Sequence, residues 1–371
     1  MSRNKKNLTK RQKNKRKLIV FIVEIFILLI LLGVFWFAMK FTKINHKNVD
    51  AVDTNDLDDD TMKSLGKYTN VVLLGLDNRV VGNYDSGNAD SIILASINNE
   101  TKEVKLVSIY RDTYMQVTDT GTYSKINSAY GRNGGAVGMM SILNKNLDLD
   151  IEDYISVDWY ALVKAINVLG GIDVEMTAME AMQVNKYVKD IGPATGYTTT
   201  RVATEGANHL DGVQALSYAR IRKGVGDDYK RTERQREVIS KMVEKVKSAG
   251  VGTLSKLMDE VFPDIETSFT STELLSMGTS MMEYSMGDTM GYPQEKQTMS
   301  MGASGSCVIP VSLLTNTEQL HQFLFGNETY TPSATLQEIS NNIIYTTGLA
   351  PTPSPSPSAT TTEEGTTTTQ Q

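Results

Sequence analysis

The sequence predicts an α/β domain, one mixed central β-sheet sandwiched by helices, set behind a single N-terminal transmembrane helix. Three observations carry this. From residue 68 onward, short apolar runs ending in Gly, Asn or Asp alternate with stretches of helical spacing, the pattern of strands connected through helices. Residues 18–39 read LIVFIVEIFILLILLGVFWFAM, 22 residues interrupted only by Glu24. At about 1.5 Å per residue such a helix crosses a hydrocarbon core of roughly 30 Å. Cys307 is the only cysteine, so an exterior domain must be held by a hydrophobic core and not by disulfides.

Residues 1–17 contain nine lysines and arginines and no acid. A basic flank before a lone span holds the N-terminus in the cytoplasm and places everything after Lys40 outside. A cleaved signal peptide would have an apolar core of only about 7–15 residues and a small-residue cleavage site, and none follows Met39. Glu24 lies near the cytoplasmic end, from where its carboxylate can reach the interface. The whole chain totals −6 despite this basic start, so the exterior part is acidic and a poor general binder of nucleic acid. Its histidines, His46, His209 and His321, are widely separated. That argues against a zinc site and against a Ser-His-Asp hydrolase.

Taken in order, 42–63 is polar and acidic around DTNDLDDD, a solvated stalk or a helix start. Residues 69–77 (TNVVLLGLD) suit a buried central strand. Residues 91–112 form two β-rich runs around Asn98-Asn99-Glu100-Thr101, a hairpin. A helix is expected over 134–147, a strand over 154–157, and a helix over 159–168 closed by Gly170-Gly171. A strand over 172–176 follows. Residues 183–203 read as a variable surface excursion. Asp211 is the N-cap of a helix ending near Tyr218, and 229–249 is a long charged helix with Val238, Ile239, Met242, Val243 and Val246 on its apolar side. Helical segments near 254–261 and 271–284 precede a strand around 307–313. The end, PTPSPSPSATTTEEGTTTTQQ, cannot bury a core and reads as a disordered tail. The resulting division is a cytoplasmic tail (1–17), span (18–39), extracellular stalk (40–67), folded domain (68–350, motif core 70–256) and Pro/Ser/Thr-rich tail (351–371).

Several residues could carry chemistry. Asp77 and Arg79 close the first strand, where ligands of α/β sheets gather. Asp90 opens the second; if the strands are neighbours, the two carboxylates can share Mg²⁺, which takes oxygen ligands and a phosphate. Arg111, in SIYRDT, ends the hairpin. The most informative stretch is LDGVQALSYARIRKGVGDDYKRTERQR (210–236). A spacing of two sends helical side chains roughly 200° apart but puts extended ones on one side. Arg220 and Arg222 are therefore expected on extended chain, facing one cavity with Arg111. Arg231, Arg234 and Gln235 share one helix face near an N-terminus that favours anions, with Arg234 expected to pair with an acid. The glycines at 131–135 lack the Gly-Lys-Ser/Thr ending of a nucleotide loop. The methionines Met139, Met140, Met179, Met182, Met277, Met281 and Met282 read as core or lipid-lining residues.

The ordered set VVLLGLDNR, ADSIIL, SIYRDT, KINSAY, Leu169-Gly170-Gly171-Ile172-Asp173-Val174 and LDGVQALSYARIR…DDYKRTERQR resembles the LytR-CpsA-Psr proteins. The match runs from about residue 70 to 246, behind the expected anchor. The resemblance implies an extracellular, magnesium-dependent phosphotransferase, with manganese as an alternative metal. It would move an anionic glycopolymer, teichoic acid or capsule, from a polyprenyl-diphosphate carrier onto a peptidoglycan hydroxyl. Carried over by position, Asp77 and Asp90 match the metal-associated aspartates. Arg79, Arg111, Lys125, Arg220, Arg222, Arg231 and Gln235 match positions around the diphosphate and head group. Two departures stand out. Asn88 replaces an arginine often found two residues before the Asp-Thr pair, here Asp90-Ser91, and Tyr110 replaces a usual proline.

The chemistry is coherent with these residues. Arg111, Arg220 and Arg222 can clamp phosphoryl oxygens through planar guanidinium forks, and Mg²⁺ at Asp77 and Asp90 can stabilise the leaving polyprenyl phosphate. Such a reaction needs positioning and charge more than a covalent nucleophile. Asp90 and Asp228 are candidates for the base, alongside a catalytic set of Asp90, Arg111, Arg220 and Arg222. Two other classes use the same site: a non-catalytic polyprenyl-phosphate regulator, and a hydrolase releasing the glycan to water. Dependence on an acceptor separates them.

Overall fold

The computed structural model describes residues 25, 27, 28, 35, 38–77, 82–222, 228–326 and 329–349. The tails at 1–17 and 351–371, and most of the span at 18–39, lie outside that set. Among the described residues no helix is long and apolar enough to cross a membrane.

In chain order the first elements are β1 (Asn45–His46), α1 (Asp59–Leu65), β2 (Tyr68–Leu76), β3 (Ala89–Asn98) and β4 (Glu103–Ile109). The short pair β5 (Tyr114–Gln116) and β6 (Tyr123–Lys125) leads to α2 (Ala129–Arg132), α3 (Ala136–Leu147), β7 (Asp153–Asp158), α4 (Trp159–Val168) and β8 (Ile172–Met176). Next come α5 (Ala178–Thr195), β9 (Gly206–Leu210), α6 (Gly212–Arg220), α7 (Asp228–Ser248), α8 (Val251–Glu260), β10 (Ile265–Thr267) and α9 (Ser271–Thr279). The chain closes through β11 (Ser285–Tyr292), β12 (Lys296–Ser300), β13 (Ser306–Pro310), α10 (Leu313–Phe325) and α11 (Ala334–Thr347).

A seven-stranded mixed sheet in the order β1-β10-β7-β2-β3-β4-β11 forms the centre. Strands β2, β3 and β4 pair antiparallel, while β7 joins β2 in parallel. Their register sorts side chains by face, because strand residues alternate. Val72, Leu74, Ile92, Leu94, Val107 and Ile109 enter the main core with α3, α10 and α11. Leu73, Ile93, Ala95, Val104 and Leu106 pack the other way, against Ile239 of α7 and Met286 of β11. The expected sandwich of helices about one mixed sheet is therefore present. A second core joins α4, α5, α6, β8 and β9, through Ile166, Ile172, Val184, Leu210 and Tyr218. Gly212 permits the close approach of α6 to α4, since a Cβ there would strike the Val163 carbonyl.

Several expectations change. Residues 40–67 are wrapped onto the domain and do not stand off it as a stalk. Lys40 and Lys43 both pair with Asp259, at 2.5 and 2.6 Å, and Phe41 is buried 5.6 Å from the Phe262 ring. The acidic run serves α1, whose N-cap Asp58 accepts from the Thr61 amide, and Leu65 is fully buried. The excursion expected over 183–203 is largely helix α5. A capping box of Thr177 and Glu180 opens it, worth about 1 kcal/mol, whereas Pro193 and a thin apolar stripe masked its period. Helix α6 ends at Arg220 and not near Tyr218, and α9 stops at Thr279, ahead of strand β11. Met139 and Met140 are buried, but Met179, Met182 and Met282 are exposed.

Candidate active site

Strand pairing brings the two aspartates to one edge. Gly75 pairs with Ser91 and Leu76 with Ala89, so Asp90 is the extra residue of a bulge, the device that re-aims a side chain at a sheet end. Gly75 is required there, since a Cβ would lie 2.9 Å from the Ser91 Cβ. Asp77 directly follows β2 at the same edge. Just beyond β4, Arg111 donates from Nη1 to Asp90 Oδ1 at 2.7 Å. Its Nε lies 3.8 Å from Asp112, which in turn holds Lys125 at 3.1 Å.

The arginines arrive from the helical layer. Ile221 is extended (φ −64°, ψ 137°) and terminates α6, so Arg220 is the last helical residue and Arg222 lies on extended chain. The extended residue between them still lets both side chains reach one cavity. Arg220 Nη2 lies 3.7 Å from Asp77, and its guanidinium carbon sits 3.3 Å from the ring centre of Trp159, the first residue of α4. Asp228, opening α7, binds Arg231 at 2.8 Å and Arg222 at 3.4 Å. Gln235, one turn beyond Arg231, accepts from Ser91 Oγ at 3.0 Å.

These residues rim a cavity of about 300 Å³ between the sheet and helices α4 to α7. Asp90, Ser91, Asp158, Arg220, Arg222, Arg231 and Gln235 line its polar part. Leu73, Ile93, Val157, Leu162, Leu216, Val238 and Ile239 line the rest. One wall is thus charged and the remainder is hydrocarbon, an arrangement suited to an amphipathic anion.

The electrostatics favour that sign. Arg231 is 3% exposed, and its Nε has no hydrogen-bond partner among the described residues. Burial pulls its pKa down to about 10, against the attraction of Asp228, and Arg111 and Arg222 repel it further. Arg220 is also lowered by burial, with Asp77 and Asp90 opposing and Arg222 adding to the shift. Burial lowers Arg111 too, but Asp90 and Asp112 outweigh it and leave the group raised. Arg220 and Arg231 are thus poorly solvated although Asp77 and Asp228 stand beside them. A bound phosphate would supply the missing acceptors.

Among the sequence-derived candidates, Asp77, Asp90, Arg111, Arg220, Arg222, Arg231 and Gln235 come together. Neither Arg111 nor Asp77 is itself in the cavity lining: Arg111 reaches it through Asp90, and Asp77 stands beside Arg220. Lys125 is joined to the group only through Asp112, and Arg79 lies outside the described residues. Arg234 turns away, as expected, to pair with Glu180 at 2.9 Å. Trp159, Ser91 and Asp112 were not singled out from the sequence. Trp159 could have been found as an aromatic residue opening a helix directly after a strand, and Asp112 as the acid beside Arg111.

The donor set also fits Mg²⁺. Among the described residues no three His, Cys, Asp or Glu side chains could hold a metal alone. Two carboxylates at one edge beside an anion site match an ion that completes its shell with water and phosphate oxygens.

A model of the LytR_cpsA_psr family matches residues 35–305. The chain belongs to this family. The polyisoprenyl-teichoic acid–peptidoglycan teichoic acid transferase TagU of Enterococcus faecalis is 34% identical over 199 residues, 53% of this chain and 60% of that one. The corresponding transferase TagV of Bacillus subtilis is 29% identical over 195 residues, 52% of this chain and 47% of that one. The matches thus span less than two thirds of these two relatives. The crystal structure of B. subtilis TagV superposes with a TM-score of 0.56 at 25% identity, covering 72% of this chain and 99% of that one. The LytR-CpsA-Psr fold and the mixed sheet are therefore shared.

Proposed function

We propose that this LytR-CpsA-Psr protein transfers an anionic glycopolymer, of the teichoic acid or capsular kind, from a polyprenyl-diphosphate carrier to peptidoglycan. In this reading it works outside the cell, anchored through residues 18–39. The observation that carries the proposal is the cavity itself: three arginines and a bulged aspartate beside a hydrocarbon pocket, complementary to a phosphate joined to an isoprenoid chain. The names of the TagU and TagV relatives support the substrate class.

In the reaction, the acceptor hydroxyl oxygen bonds to the phosphorus that bears the glycan. The bond from that phosphorus to the bridging oxygen breaks, and polyprenyl phosphate leaves with the electron pair. Arg220, Arg222 and Arg231 hold the phosphoryl oxygens and disperse the charge that grows on them. Arg111 fixes the Asp90 carboxylate and Trp159 backs the Arg220 guanidinium, which limits reorganisation during the step. The hydroxyl proton passes to a carboxylate of this cluster, Asp90 or Asp228. Asp77 and Asp90 would hold Mg²⁺, which when bound neutralises diphosphate charge and stabilises the departing phosphate.

The test uses full-length protein in detergent with Mg²⁺, a lipid diphosphate-linked glycan and peptidoglycan fragments. Acceptor-dependent appearance of glycan on peptidoglycan supports transfer. Release of glycan phosphate at the same rate without acceptor would identify a hydrolase instead, and binding without turnover a regulator. The topology is tested by protease added to intact protoplasts, which should destroy residues 40–371; a protected domain would contradict an extracellular ligase.

A further inference from the structure

Arg234 stands one turn from Arg231 on α7, and the partners described for it belong to α5 and to the end of α6. It is 5% exposed. Its Nε donates to Glu180 Oε1 at 2.9 Å, and its Nη2 approaches the same oxygen at 2.9 Å. The other Glu180 oxygen accepts from the amide and hydroxyl of Thr177, each at 2.9 Å. Glu180 is therefore locked by the cap of α5 before it meets Arg234. The remaining arm of the fork, Nη1, donates to the backbone carbonyl of Ile221 at 3.2 Å. The guanidinium also lies 5.8 Å from the ring of Tyr218, whose hydroxyl donates to Glu237 at 2.7 Å.

Ile221 is the extended residue that separates Arg220 from Arg222, and its side chain is fully buried. Fixing its carbonyl fixes the peptide plane from which Arg222 departs. Holding the side chain and the carbonyl together sets the direction of both flanking arginines. A planar guanidinium can bind Glu180 and Ile221 at once, whereas a lysine ammonium is a point charge on a flexible stem. We propose that Arg234, braced by Glu180, is a positioning residue that aims Arg220 and Arg222 at the diphosphate. The proposal rests on the phosphate-binding reading of the cavity and deepens it.

The chain has two tryptophans, Trp36 and Trp159. Replacing Trp36→Phe in full-length protein leaves Trp159, stacked on Arg220, as the sole indole reporter of this site. Geranylgeranyl diphosphate and inorganic pyrophosphate are titrated in detergent with Mg²⁺ while Trp159 fluorescence is followed. Arg234→Lys should weaken both by about tenfold and Glu180→Gln by about threefold. In an Arg222→Lys background the same changes should cost less than about twofold, because residues acting through a shared partner are not additive. Affinities equal to the parent in both single variants overturn the proposal. So do full, additive losses in the Arg222→Lys background, which would indicate a general effect on the fold. If Arg234→Lys fails to fold, Glu180→Gln decides by the same two criteria. A parent protein that binds neither probe refutes the phosphate reading itself, a result distinct from a parent that binds and variants that do not differ from it.

Discussion

The central sheet carries a polar cavity at each end of its strands, and the two differ in sign. At one end, β2 and β3 deliver Asp77 and Asp90 to the arginines of α6 and α7, around about 300 Å³ of mostly apolar space. Near the start of β2 lies a larger cavity of about 530 Å³, lined by Tyr68, Asn70, Asp150, Glu152, Asp153, Phe269, Glu273 and Tyr284. Its carboxylates outnumber its single lysine, Lys102. Burial pushes Asp150 up to about 6, against a hydrogen bond from Asn70, and also raises Asp153, against one from Ser268. Size therefore does not identify the site. A phosphate-bearing lipid needs buried positive charge next to hydrocarbon, and only the smaller cavity of this pair offers both.

The strongest way to break this contrast is to remove the two acids proposed to hold Mg²⁺. Asp77→Ala and Asp90→Ala should each abolish Mg²⁺-dependent transfer while leaving the circular-dichroism melt intact. Near-normal turnover by either would remove the two-aspartate site. Next is Arg231→Met. Loss of a desolvated guanidinium should cost at least about 100-fold in diphosphate affinity. Thermal stability should fall, because Asp228 loses its shorter partner and keeps only Arg222 at 3.4 Å; a fall in stability with unchanged binding would make Arg231 structural. Smaller again are Arg220→Lys and Arg222→Lys, which keep charge but lose the planar fork. Each should cost about 1–3 kcal/mol of phosphate interaction, measured by titration calorimetry.

The smallest effect belongs to the acidic end. The folded-state value of Asp150 lies above the ordinary one, so above about pH 6 the native state carries a poorly solvated charge. That cost disappears as pH falls toward 4, through the folded value. Asp150→Asn should therefore stabilise the protein by about 1–2 kcal/mol at pH 7.5 and give no gain at pH 4, read from denaturant midpoints. It should leave transfer unchanged. A loss of transfer would connect the acidic cavity to the reaction.

Much of this contrast was legible in the residues. The apolar run at 69–77 gave a buried strand, the turn residues Asn98-Asn99-Glu100-Thr101 between two β-rich runs gave the hairpin, and Asp211 and Gly170-Gly171 marked helix ends by their capping chemistry. The shared face of Arg231 and Gln235 followed from their spacing, whereas Arg220 and Arg222 reach one cavity although Arg220 is still helical and not on extended chain as expected. The bulge at Asp90 was not legible, since it depends on which residue of β3 loses its partner across β2. The acidic run did suggest the helix start that Asp58 caps, but the packing of 40–67 was hidden for a similar reason: Phe41 and Leu65 are buried by elements far along the chain. Helix α5 was missed because Pro193 and a polar surface outweighed the Thr177–Glu180 cap. Trp159 was recognisable as the aromatic residue opening α4, but its contact with Arg220 depends on α4 starting beside the end of α6, a tertiary fact.

The most direct test of the two-cavity account is photo-crosslinking. A diazirine placed on the isoprenoid chain of geranylgeranyl diphosphate is activated with full-length protein in Mg²⁺, and the labelled peptides are mapped by mass spectrometry. Labels on Leu162, Leu216, Val238 or Ile239, competed by unlabelled diphosphate and lost in Arg231→Met, are the expected result. Labels concentrated on Tyr68, Phe269, Met277 or Tyr284, unaffected by Arg231→Met, would contradict it.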